Sequence, residues 1–233
     1  MVSLTKYSSS GGGLAAGAVG GGGLTLGQLA SYHKDQLIAQ YDINETANTL
    51  EFSGVFTEEM AESGNEYYVE FQFGGIHTST QNLHLELEIE GQWITGGGAS
   101  NYYWCYADGF QSSTSAWSNG SISLSNFTLC NAAGYAVWRG ELLFPQLVQG
   151  AVSNQADYPH ALHWFAKNVS YSRTGGATVW GTGGCRGRDG ERVTGFRFYE
   201  NTPSNASYQL GKTQHMGTSV KAFVSIYERT RSL

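Results

Sequence analysis

The chain has 233 residues, which suffice for one large domain with an appendage, and only 14% of these residues are charged. Gly (32), Tyr (14) and Phe (11) are abundant while Pro (3) is scarce, a composition that favours aromatic-rich β-structure over helices. The formal net charge of -6 argues against a general nucleic-acid binder, because a phosphate backbone requires a face rich in Lys and Arg.

The first 47 residues differ in composition from the rest. Residues 7–32 carry no charge, but glycine is too frequent there for a stable membrane-spanning helix, and no signal peptide is evident. We therefore expect a glycine-rich N-terminal arm and no membrane span. Apolar residues at near-helical spacing, Leu26, Leu29, Ala30, His33 and Leu37, predict one short amphipathic helix over residues 25–40. Residues 1–47 form the predicted anchoring segment.

Alternating apolar and polar residues dominate from residue 48 onward. In "NLHLELEIEG" the even-numbered side chains, His84, Glu86, Glu88 and Glu90, alternate with leucine and isoleucine, which predicts a strand with one buried face and one wet, acidic face. Similar runs are "TLEFSGVFT", "EYYVEFQFG", "SISLSNFTL", "YAVWRGELLF", "ALHWFAKNVSYS", "RVTGFRFYE" and "SVKAFVSIYER". Residues 48–233 are thus predicted to form an antiparallel β-sandwich of jelly-roll type, in an all-β protein.

Charge is distributed unevenly along the chain. Residues 35–138 contain no Lys or Arg but 13 of the 19 acidic side chains, whereas 11 of the 13 basic side chains lie from Arg139 onward. Two interpretations remain open: strands of the two halves interleave and neutralise one another within one domain, or acidic and basic faces meet between subunits. The candidate inter-subunit charges are Glu86, Glu88, Glu90, Arg186, Arg188 and Arg197.

Signatures of catalysis and of metal binding are weak. The chain has no Gly-x-Ser-x-Gly elbow or phosphate loop, and the His160/His163 pair would need a third ligand and would point to opposite faces of a strand. The three cysteines are far apart in sequence and favour buried free thiols. Two carboxylates of the Glu86–Glu90 row could flank a glycosidic bond, but we favour a strand face that is solvated or that meets a basic neighbour. We expect a protein that is not an enzyme and has no cofactor and no metal.

Aromatic residues are concentrated among small polar ones in "SNYYWCYADGFQSSTSAWSNGS", residues 100–121. Such a mixture suits a loop that stacks on sugar rings, or a protein-recognition loop, and it also suits a sandwich core or subunit contact. The candidate glycan or partner contacts are Tyr102, Tyr103, Trp104, Tyr106 and Trp117.

Residues 183–205, "GGCRGRDGERVTGFRFYENTPSN", combine an arginine-rich turn with a strand pattern. We interpret "RGRDGE" as a hairpin loop in which Asp189 and Gly190 supply the turn. In the following strand Phe196 and Phe198 are predicted to face the core, and Arg197 to face outward toward an acidic surface such as the Glu86–Glu90 row.

The C-terminal third resembles the closing segment of many tailed-bacteriophage virion proteins. That segment has an (I/V)-T-G-(I/F)-R-F strand ending in an aromatic residue, a polar turn, and a Gly-Thr step into a final strand ending in (L/I)-Tyr. The matching residues are Val193, Thr194, Gly195, Phe196, Arg197, Phe198 and Tyr199, then Gly217 and Thr218, and finally Ile226 and Tyr227. The turn is longer than in that pattern, and Glu228 stands where a Gly is expected.

This resemblance implies a non-enzymatic virion component located in the phage particle. The expected form is a homotrimeric tail-fibre or baseplate-associated protein whose residues 1–40 bind other virion proteins, with host surface polysaccharide as the candidate ligand of the aromatic loop. A capsid decoration protein is the alternative within the same particle, and a carbohydrate-binding module is the alternative outside it.

Overall fold

The computed structural model describes residues 4–7, 35–76, 81–94, 102–108, 127–132, 136–148, 162–170, 178–185, 190–200, 209–213, 216 and 219–230. The strands in the first half are β1 (Leu4–Tyr7), β2 (Gln36–Ile43), β3 (Thr46–Ala47), β4 (Thr49–Phe52), β5 (Glu66–Ile76), β6 (Gln81–Ile89), β7 (Gln92–Trp93) and β8 (Tyr102–Asp108). Those in the second half are β9 (Phe127–Ala132), β10 (Ala136–Phe144), β11 (Leu162–Ser170), β12 (Thr178–Cys185), β13 (Val193–Glu200), β14 (Gln209–Gly211) and β15 (Phe223–Arg229). One short helix, α1 (Glu58–Glu62), is the helix of the described part.

The strands form two antiparallel sheets. In the larger sheet the order is β1-β2-β15-β5-β10-β11-β12-β8, with β14 pairing both β3 and β5. In the smaller sheet the order is β4-β13-β6-β7, and β9 also pairs β6. The predicted all-β, sandwich-like fold is confirmed.

The core lies between the two sheets and is largely aromatic. Phe198 of the smaller sheet packs against Phe71 and Phe73 of the larger sheet, with ring centroids 4.8 and 5.1 Å apart. Phe52 packs on Tyr41 in the same way across the sheets, at 5.2 Å. These residues are buried because alternate residues of each strand point to the same face, so the inner faces of both sheets are apolar.

Strand β2 differs from the prediction for the N-terminal region. Residues 36–40, placed at the end of a helix over residues 25–40, belong instead to β2, which pairs with β15 and buries Ala39, Tyr41 and Ile43. The helical interpretation is wrong there because pairing with a distant strand outweighed the local spacing of apolar residues. The rest of that predicted helix, residues 25–34, lies outside the described residues.

The connection between β12 and β13 is not a hairpin. β12 pairs with β11 and β8 in the larger sheet, whereas β13 pairs with β4 and β6 in the smaller one. The "RGRDGE" segment therefore joins the two sheets, and the hairpin prediction is wrong. Gly190 has a φ of 82°, a backbone conformation that favours glycine, so a turn lies at the predicted place.

Candidate functional site

The outer face of the smaller sheet carries the acidic row predicted from the sequence. β6 and β13 run antiparallel there, and their register places Glu86 opposite Arg197 and His84 opposite Tyr199. The wet face predicted for this row is wrong for most of its length, because Glu86 and Glu88 are only 2% and 3% exposed and His84 is buried. Glu90 alone in the row is exposed.

Glu86 is buried beneath a cluster of side chains from three strands. Arg197 donates from Nε to Glu86 Oε2 at 2.6 Å, and the hydroxyl of Tyr199 donates to Glu86 Oε1 at 2.9 Å. Arg197 also donates to Glu51 at 2.9 Å and lies 4.5 Å from the ring centroid of Trp93. Burial raises the pKa of Glu86, while the bonds from Arg197 and Tyr199 oppose that shift. The outward position of Arg197 against the acidic row is thus present in the structure, within one chain.

Glu88 holds the turn that follows β4. Its carboxylate accepts hydrogen bonds from the Ser53 hydroxyl, from the Gly54 backbone N–H at 2.9 Å and from the Thr194 hydroxyl at 2.9 Å. Gly195 is the residue of β13 opposite Glu88, and the strand pairing is irregular there. The bonds from Ser53 and Gly54 join the end of β4 to β6, and the bond from Thr194 joins β13 to β6, so Glu88 fixes β4 and β13 relative to each other.

Glu90 is paired at the edge of the same sheet. The backbone N–H of Arg192 and its guanidinium Nε donate to Glu90 Oε1 at 2.9 and 3.0 Å, and Arg192 also pairs with Glu58 at 3.2 Å. The hydrogen bonds from Arg192 lower the pKa of Glu90. Arg192 was not among the candidate charges, although the reversal of charge in the second half of the chain indicated partners of this kind.

A further carboxylate lies in the core at the end of β13. Glu200 is fully buried, and its Oε1 accepts a hydrogen bond at 2.9 Å from the indole Nε1 of Trp138 on β10. Because β13 and β10 belong to different sheets, this bond crosses the sandwich. Burial raises the pKa of Glu200 to about 7, against the opposing effect of the Trp138 bond.

Glycine makes room for this buried carboxylate. A Cβ at Gly75 would collide with Glu200 Oε1 and would lie 3.0 Å from Trp138 Nε1. Sequence reasoning missed Glu200, yet a signal existed: in β13 the alternation that turns Phe196 and Phe198 inward also turns Glu200 inward.

Part of the aromatic segment forms a strand. Tyr102, Tyr103, Trp104 and Tyr106 belong to β8, which pairs with β12 and is the last strand of the described order on that side of the larger sheet. Of the interpretations left open for this segment, the two that require a loop do not apply to residues 102–108, which belong to a sheet of the sandwich. The side chains of these residues, and Trp117 altogether, lie outside the described part.

The structure describes only some of the predicted histidines and arginines. His163 lies in β11 opposite Thr182, while His160, Arg186 and Arg188 lie outside the described residues. Among the residues described, no group of three or more His, Cys, Asp or Glu side chains could hold a metal ion. No helix of this part of the chain is long and apolar enough to cross a membrane.

The described geometry gives the acidic row an architectural role. Both oxygens of Glu86 and both oxygens of Glu88 accept hydrogen bonds from the chain itself, and both groups are almost fully buried. A carboxyl group in this position can reach a substrate only if those bonds break. For Glu86 and Glu90 the structure shows pairing with arginine within the chain, the first of the two interpretations of the uneven charge.

Comparisons with known proteins add no family. The sequence matches no protein-family model and no curated protein. The resemblance to phage virion proteins therefore stays a prediction.

Proposed function

We propose that this chain is a non-enzymatic structural protein of a tailed-phage virion, built as a β-sandwich and anchored by its N-terminal segment. The observation that carries the proposal is the position of the two segments that resemble virion proteins. β13 lies between β4 and β6 in the smaller sheet, and β15 lies between β2 and β5 in the larger sheet. The segments with the resemblance are thus internal strands of both layers.

The inward residues of these two strands support the same conclusion. Phe196 and Phe198 of β13 and Val224 and Ile226 of β15 are almost completely buried between the sheets. Arg197, between the two phenylalanines, pairs with Glu86 on the outer face. Residues shared with the virion pattern therefore carry packing and sheet cohesion, which is what a structural protein requires of them.

The non-enzymatic part of the proposal is supported by the state of the carboxylates. Of the row that could have acted as acid and base at a sugar, Glu86 and Glu88 are buried and hydrogen-bonded inside the sheet, and the exposed Glu90 is paired with Arg192. Two-carboxylate hydrolysis requires both groups to face an open cleft.

Within the particle, a homotrimer associated with the tail fibre or baseplate is the form we propose, with residues 1–40 as the contact to other virion proteins. The aromatic strand β8 is the candidate contact with host surface polysaccharide, because it lies at the end of the described sheet order. A decoration protein on the capsid is the alternative location.

Deletion of residues 1–24 tests the anchoring role. The truncated chain loses the edge strand β1 but is expected to remain folded and soluble, since the strands that bury the core begin at Gln36. It should be lost from particles purified from cells that produce the phage. Incorporation is measured by immunoblotting of gradient-purified particles, and a gold-labelled antibody shows whether the full chain lies on the tail or on the capsid.

A matched control separates anchoring from general damage. Val220 is the exposed large apolar residue of the described part, so Val220→Ser should enter particles as the unaltered chain does. Normal incorporation of the truncated chain would refute the anchoring role, and absence of the full chain from all particles would refute the virion assignment.

A further inference from the structure

The edge strand of the larger sheet comes from the extreme N-terminal part of the described chain. β1 pairs antiparallel with β2, with Leu4 opposite Ile43 and Tyr7 opposite Gln40. The other side of β2 pairs with β15. β1 is the last strand of the described order on this side. Four residues therefore cover the backbone donors and acceptors of half of the β2 edge, from Gln40 to Ile43.

The connection between these two strands is much longer than their pairing requires. Since Tyr7 lies opposite Gln40, a return to Gln36 has to cover only about four residues of strand, roughly 13 Å. Hairpins usually make such a return with about 2–5 residues. Here 28 residues intervene, residues 8–35, and nine of them are glycine. A chain of that length can span up to roughly 90 Å, which is enough to reach a neighbouring copy.

Pairing within one chain and pairing between two chains use the same hydrogen bonds. β1 contributes backbone contacts at a fixed register, and those contacts are identical whichever copy supplies the strand. Pairing within one chain has only the advantage of tethering, which falls as the connection lengthens. In an oligomer the β2 edge of a neighbouring copy is present at an effective concentration comparable to that of the chain's own β2 edge. Pairing of β1 with the neighbouring copy can therefore compete with pairing within the chain.

We propose that in the assembled oligomer the strand Leu4–Tyr7 of one copy pairs with the edge segment Gln40–Ile43 of the next copy. The partner is a second copy of this chain, and exchange around a closed ring covers every edge. This inference rests on the proposed function only for its setting, copies packed side by side. Under this proposal the N-terminal segment links copies of the chain and also contacts other virion proteins.

Crosslinking between two distinguishable chains tests the exchange. One chain carries Thr5→Cys and one epitope tag, and the other carries Asp42→Cys and a second tag, since Thr5 lies opposite Asp42. Directly opposed residues in antiparallel strands are within disulfide reach. After coexpression, purification and mild oxidation, a covalent species that carries both tags is expected on a non-reducing gel. Neither chain can form this link within itself.

Controls define the register and the background. When Gln36→Cys replaces Asp42→Cys, the cysteine lies six residues away along β2, and the doubly tagged species should fall at least about tenfold. Thr5→Cys coexpressed with the unaltered chain measures links to the native Cys105, Cys130 and Cys185. Tyr7→Cys with Gln40→Cys is a second opposed pair, used if the first disturbs assembly.

Placing both cysteines in one chain distinguishes the outcomes. If strands are exchanged, Thr5→Cys with Asp42→Cys gives covalent multimers. If it gives only internally linked monomers, or if neither opposed pair crosslinks in a correctly assembled oligomer, the proposal is wrong. Crosslinking of the purified oligomer is independent of particle incorporation, so failure of this inference and failure of the virion assignment are separate results.

Discussion

At the scale of single residues, the least expected feature is a carboxyl group in the core. Glu200 lies between the sheets, bonded to Trp138, and Gly75 leaves the space it occupies. A group with this environment favours its protonated form, because burial removes the hydration that stabilises the ionised carboxylate.

The pH dependence of stability should therefore reflect Glu200. The folded-state pKa is about 7 and the ordinary value is 4.5, so the unfolded chain releases the proton first as pH rises. The stabilising contribution of protonated Glu200 to the free energy of unfolding is fully present below about pH 4.5. It is lost as the pH rises to about 7, and the total loss is on the order of 3 kcal/mol. Glu200→Gln should remove this loss, so the variant should be more stable than the unaltered chain at pH 8.

Urea unfolding between pH 4 and pH 8 measures the effect. Glu86 also has a raised pKa and Glu90 a lowered one, so the informative quantity is the difference between variant and unaltered chain. The exposed Glu62→Gln is the matched control and should follow the unaltered chain. Parallel pH profiles for Glu200→Gln and the unaltered chain would contradict the prediction.

At the scale of elements, β6, β4 and β13 are held together by polar bonds on their outer face. Glu86 bonds Arg197 and Tyr199, while Glu88 bonds Ser53, Gly54 and Thr194, so each carboxylate joins strands that are far apart in sequence. Both groups are buried, which makes these bonds stronger than the same pairs would be in water.

The close approach of β4 to β13 at Gly195 gives a second prediction. A Cβ there would collide with the backbone carbonyl of Phe52 and lie 2.7 Å from Glu88 Oε2. A backbone carbonyl cannot move aside as a flexible side chain does, so Gly195→Ala should cost about 1–3 kcal/mol. It should also weaken the bond from the Gly54 N–H to Glu88.

Two measurements check this prediction, the free energy of unfolding in urea and the hydrogen exchange of the Gly54 amide by NMR. Gly190→Ala serves as the control, because open space surrounds that position and only its positive φ is at stake. Exchange of the Gly54 amide should accelerate in Gly195→Ala and not in Gly190→Ala. Unchanged protection in Gly195→Ala would show that β4 accommodates the methyl group.

At the scale of the whole molecule, the two sheets share one core. Phe198 contacts Phe71 and Phe73 of the opposite sheet, and the bond from Trp138 to Glu200 crosses the same gap. Neither sheet can bury its apolar face alone, so we expect the two to unfold together.

Removal of one central ring tests that expectation. Phe198→Ala should lower the free energy of unfolding by about 3–5 kcal/mol, the usual cost of deleting a buried phenylalanine. The backbone amides of β15 and of β6 should lose the same amount of protection, as measured by native-state hydrogen exchange. The control Val220→Ser should stay within about 0.5 kcal/mol of the unaltered chain. Loss of protection confined to the smaller sheet would mean that the sheets unfold independently.

Much of the fold could be predicted because strand alternation is a local property. "NLHLELEIEG" and "RVTGFRFYE" both form strands, and Phe196 and Phe198 face the core as expected. The site was harder to predict. The side chains around Glu86 come from β4, β7 and β13, and no spacing within the sequence brings them together.

The sequence by itself determined the all-β class and the inward faces of β6 and β13, because alternation depends only on neighbouring residues. The tertiary structure alone decided whether the polar faces are wet or buried, since Arg197 and Tyr199 reach Glu86 from more than a hundred residues away. It also decided that residues 36–40 extend as a strand and that the segment after β12 crosses between sheets. Those outcomes depend on which distant strand supplies the hydrogen bonds, and a local pattern carries no information about that choice.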